Sequence, residues 1–80
     1  MGETVKKLSE CREGDRVVVR RIGGSGAFRK RLLEMGFMRG CELCIVRYAP
    51  LKDPLELVLR GFHVSLRVCE AQQVEVENAE

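Results

Sequence analysis

Four cysteines and a single histidine are the side chains here that could ligate a metal or act as nucleophile and base. Cys41-Glu42-Leu43-Cys44 has the C-x-x-C spacing found in zinc knuckles and redox dithiols. Both uses need a turn or helix start at which the sulfurs converge, whereas on an extended strand residues three apart point to opposite faces. A tetrahedral site would also have to recruit Cys11, Cys69 or His63. The N-terminal run MGETVKKL lacks the apolar core of a signal peptide, so a cytoplasmic location with reduced, free thiols is expected. Cys41 and Cys44 are kept as the candidate metal ligands, for zinc or ferrous iron. His63 falls on a predicted strand among exposed positions with no Ser or Asp pattern of a triad, and paired carboxylates at a purposeful spacing are missing. The expectation is a non-enzyme with no catalytic or cofactor-binding residue.

A second kind of chemistry lies between Gly23 and Gly40. Gly23-Gly24-Ser25-Gly26 runs into a helical pattern, as in loops that cradle phosphate, but no Gly-Lys-Ser/Thr ending and no Gly-x-Gly-x-x-Gly is formed. The glycines read better as a sharp strand-to-helix turn. Arg29, Lys30 and Arg31 then place three cations in the first half of the helix, where they oppose its dipole. They serve either solubility or recognition. Ten bases against five acids in residues 1–40, and four against seven in 41–80, give +5 and −3, the net +2 of the chain. A basic first half can attract an acidic protein surface, a phosphate or nucleic acid. With 5% aromatic residues there are few platforms on which bases could stack, so nucleic acid is not the expected partner.

The elements that must position these groups are short. Leu8 to Cys11 reads as a single turn after a loose tail of residues 1–6, and Arg12-Glu13-Gly14-Asp15 as a tight turn. Arg16–Ile22 is the first expected strand, with Val17 and Val19 inward. Ile22 returns to the core only if the strand bulges near Arg20. Ser25 is the expected N-cap of a helix of about nine residues, too short to stand alone. Phe28, Leu32 and Met35 form its buried stripe, and Gly36 is its left-handed stop. Of Phe37 and Met38, between two glycines, one suits the core and an exposed one suits a partner contact. Cys41–Tyr48, Leu55–Arg60, His63–Arg67 and Gln73–Glu77 complete five strands, with a helical turn within Val68–Gln73. Pro50 and Pro54 make the connection between the second and third strands rigid. The fold class is mainly β, a small five-stranded barrel with one short α-helix between strands one and two.

With 80 residues, 45% hydrophobic and 32% charged, the chain is expected to be one soluble domain over 1–80 with its core at about 8–77. No apolar run nears the roughly 18 residues of a membrane span, so no direct membrane insertion is expected. Leu8-Ser9, Gly14-Asp15, Ile22-Gly23-Gly24, Arg31-Leu32-Leu33-Glu34-Met35-Gly36, Gly40, Ala49-Pro50-Leu51-Lys52-Asp53-Pro54 and Arg60-Gly61 together form a pattern in which the chain resembles the ferrous iron transport protein A (FeoA) family. The resemblance implies an SH3-like barrel in the cytoplasm that works with the membrane iron transporter FeoB in ferrous iron uptake, without catalytic residues. On that footing Arg29, Lys30, Met38 and Leu51 are the candidate partner-binding residues. The alternative is a metal-binding or metal-responsive protein that uses its cysteines. Lys52 departs from the family pattern, which favours Gly or another small residue there, and Met38-Arg39 stands where Val-Pro or a similar pair is frequent.

Overall fold

Alternation of apolar and polar side chains sets the strands of this chain, and the computed structural model describes residues 5–24 and 26–79. β1 spans Val5–Lys7, β2 Arg16–Ile22, β3 Glu42–Tyr48, β4 Leu55–Leu59, β5 Phe62–Leu66 and β6 Val74–Asn78. A 3-10 turn at Leu8–Glu10 follows β1, α1 spans Gly26–Met35, and α2 spans Val68–Ala71. The strands form one antiparallel sheet in the order β1-β6-β2-β3-β4-β5. The expected fold class holds, with one strand more than the five expected. Val5 and Lys6 belong to β1, paired Val5 with Glu77 and Lys6 with Val76, and not to a loose tail. Two lysines in three residues gave no strand signal; β1 is set by its partner, whose edge it covers. Ser25, the expected N-cap, lies outside the described residues.

The buried faces of the strands meet in one cluster. Val17 and Val19 of β2, Leu43 and Ile45 of β3, Leu55, Leu57 and Leu59 of β4, Leu66 of β5, and Val74 and Val76 of β6 all belong to it. A sheet whose inward residues all share one core must curl around it, as in a small barrel. Leu8 and Phe37, both wholly buried, fill the cluster from outside the strands. β2 shifts register between Val19 and Arg21, so Ile22 returns to the core as the alternation requires. A second shift, between Ile45 and Arg47 in β3, had no sequence signal. Beyond it Tyr48 turns partly inward, and its Oη lies 2.7 Å from the Cys11 carbonyl and 3.0 Å from that of Ser9. One phenol proton thus ties β3 to the first turn.

α1 packs through Leu32, which is fully buried, with Phe28 and Met35 half-buried on either side. It ends as its sequence predicts. Gly36 has φ +107°, its N–H donates to the Leu33 carbonyl at 3.1 Å, and the Phe37 N–H donates to Leu32 at 3.0 Å. That pair of bonds is a Schellman stop, and it drops Phe37 into the core and leaves Met38 outside.

Candidate protein-interaction surface

The β2 register shift sets two successive side chains on the outer side of the sheet, and both are arginines. Arg20 is the extra residue of the bulge, and Arg21 pairs with Glu75 of β6. Just beyond, the Gly23 N–H donates to the Gln73 carbonyl at 2.6 Å, which pins the end of β2 to the entry of β6. Gly24 has φ +76°, and a Cβ there would sit 2.6 Å from the Phe28 ring. Only glycine allows the helix to fold back this closely. The glycine pair is therefore a sharp strand-to-helix turn, in line with the sequence reading.

On the far side of α1 the chain returns beside β2. The Gly40 N–H donates to the Val19 carbonyl at 2.7 Å, and the Val19 N–H donates to the Cys41 carbonyl at 2.8 Å. This brings Arg39 alongside the bulge. The result is a groove of about 480 Å³ lined by Arg20, Arg21, Ile22, Gly23, Gly24, Arg29, Leu33 and Arg39. Arg20 lies 3.5 Å from a Glu77 carboxylate oxygen. Arg31 faces away from the groove and pairs with Glu70 of α2. Glu70 also accepts the Arg67 N–H at 3.0 Å, and the Asp53 carboxylate accepts the Val68 N–H at 3.1 Å. Asp53 thus holds the β3–β4 connection against the start of α2.

The predicted partner-binding residues do not share one place. Arg29 lines the basic groove, while Met38 and Lys30 are exposed nearby in sequence without lining it. Leu51, 89% exposed, stands in the β3–β4 connection. Its neighbours Pro50 and Lys52 line a different depression, with Ser9, Cys11, Glu13, Tyr48, Ala49 and Val68. Arg20, Arg21, Arg39 and Leu33, which line the groove with Arg29, were not among the candidates read from the sequence. The bulge near Arg20 was the available signal, since it places Arg20 and Arg21 together on the outer face.

The two cysteines of the C-x-x-C face apart. Cys41 is buried with its Sγ 3.3 Å from the Gly36 carbonyl, and Cys44 is exposed on the outer face of β3. Cys11 is buried and Cys69 exposed. Among the described residues no three His, Cys, Asp or Glu side chains stand together to hold a metal ion. His63 is exposed on β5. Among those residues, too, no helix is long and apolar enough to cross a membrane.

A curled antiparallel sheet with one helix between β2 and β3 makes this an SH3-like domain, the fold named for a FeoA relative from Stenotrophomonas maltophilia. The FeoA domain model matches residues 6–78, and the chain belongs to that family. The chain is 46% identical over 71 residues to the Fe(2+) transport protein A/Fe(2+) transporter FeoB fusion protein of Porphyromonas gingivalis, a match spanning 89% of this chain and 8% of that protein. The FeoA protein from Chlorobium tepidum superposes with a TM-score of 0.88 at 37% identity, over 94% of this chain and 71% of that one. The S. maltophilia FeoA, solved in complex with zinc, superposes with a TM-score of 0.79 at 30% identity, over 90% and 89% of the two chains.

Proposed function

We propose that this protein is a non-enzymatic cytoplasmic adaptor that binds a cytoplasmic portion of the membrane transporter FeoB and supports ferrous iron uptake. The observation that carries this reading is covalent: in the P. gingivalis relative a matching domain and the transporter are one chain. Tethering raises the effective concentration of a module beside its target to about the millimolar range, so even a weak contact there is occupied. The exposed basic and apolar side chains beside α1 supply a surface for it.

The test is a pull-down, with cross-linking, of the transporter's soluble domains and of the full-length membrane protein. Enrichment over an unrelated SH3-like barrel is the expected result, together with reduced ferrous iron uptake in cells that lack the protein. Equal recovery with the unrelated barrel would overturn the reading.

A further inference from the structure

The groove beside α1 gathers positive charge against an electrostatic cost. Four guanidinium groups line it, and among the described residues no carboxylate does. Arg21, Arg29 and Arg39 have no ion pair with any described residue, whereas Arg31 on the same helix is matched by Glu70. The lining is not purely polar. Leu33 stands among the arginines with 42% of its surface in water, beside the edge of Ile22.

We propose that this groove receives an acidic segment of a protein partner, in which carboxylates flank an apolar side chain. Guanidinium forks take carboxylates in bidentate pairs, and Leu33 with Ile22 gives the apolar side chain a dry seat. A phosphate ion would satisfy the arginines but leave Leu33 in water. A single-stranded nucleic acid looks for rings to stack on, and none of the described lining residues is aromatic. The occupant is a segment of the transporter's cytoplasmic portion, so the proposal rests on the adaptor reading above and adds the chemistry of the contact.

Two binding measurements with the purified protein test it. One uses the soluble cytoplasmic portion of the transporter. The other uses a synthetic peptide with a leucine between two pairs of glutamates, followed by the NMR shifts of the arginine side-chain N–H groups. The double variant Arg29→Glu with Arg39→Glu changes exposed side chains and is checked for an unchanged melting curve. It should weaken both interactions by about tenfold or more, and added salt should weaken them in the wild type. Lys30→Glu, one residue along but outside the groove, should change each less than about twofold. Wild-type affinity in a folded double variant overturns the groove proposal while leaving the adaptor reading in place. Peptide binding in the groove without transporter binding overturns the adaptor reading and keeps the chemistry. Displacement of the peptide by inorganic phosphate or a single-stranded oligonucleotide, at matched ionic strength, reassigns the groove and overturns the acidic-segment proposal.

Discussion

Cys11 occupies a place where a thiol is hard to ionise. It is 3% exposed, and burial pushes its pKa up from 9.0 to about 11; Lys6 pulls it partly back, while Asp15 and Glu10 add to the rise. Burial also raises the neighbouring Tyr48 phenol, with Cys11 and Asp15 contributing. In the unfolded chain the thiol releases its proton near pH 9.0, whereas the folded protein holds it until about 11. The folded state therefore binds the proton more tightly. This contribution is intact below pH 9.0 and is lost as pH rises towards 11. At about 1.4 kcal/mol per unit, the loss from this thiol is on the order of 2–3 kcal/mol. Urea unfolding across that range should show it, and Cys11→Ala should flatten the pH dependence. An equally steep fall in the variant would assign the loss to Tyr48 and other groups. The opposite facing of Cys41 and Cys44 was legible from strand geometry alone. The burial of Cys11 was not, because it arises from tertiary packing, in which Tyr48 from 37 positions away bonds to the Cys11 carbonyl.

The β4–β5 hairpin shows how far a single element can be read. Leu59 pairs with Phe62, leaving Arg60 and Gly61 as a two-residue turn with φ of +52° and +83°. Positive φ at both positions is the type I′ turn that matches strand twist, and its favoured sequence is Asn-Gly. Glycine fits its place, whereas arginine is strained in its own. Arg60→Asn should raise stability by about 0.5–1 kcal/mol, read as a higher urea midpoint at an unchanged m value. An unmoved or lowered midpoint would count against the turn assignment. Lys52, at φ +67°, is a second left-handed residue, in a conformation that glycine would adopt without strain. The leucine alternation of β4 and the return of Ile22 were visible in the sequence, since each follows from side-chain period within one strand. The missed elements depend on contacts between strands. β1 needs the β6 edge, and the β3 bulge is coupled to the seating of Tyr48 over the Ser9 and Cys11 carbonyls. The basic groove needs β2, α1 and the α1–β3 connection side by side, and no one stretch contains its pattern.

For the molecule as a whole, the Cα radius of gyration is 11.6 Å, close to the value of about 12 Å expected of a folded chain this long. One core therefore accounts for the described chain. β1 and β6 are antiparallel neighbours, with Val5 opposite Glu77, so the first and last described strands meet at one corner. Joining Ala79 to Val5 through a short flexible linker, and opening the chain between the exposed Leu51 and Lys52, should give a circular permutant that folds. Its NMR spectrum should keep the dispersion and core shifts of the parent. A permutant that stays unfolded with linkers of several lengths would show that the β3–β4 connection must be continuous. The same corner has a mechanical meaning for any longer protein that carries this domain. Both of its connections leave side by side, like the two ends of a pendant's cord, so the barrel swings as one body and a pull on both does not stretch it from end to end.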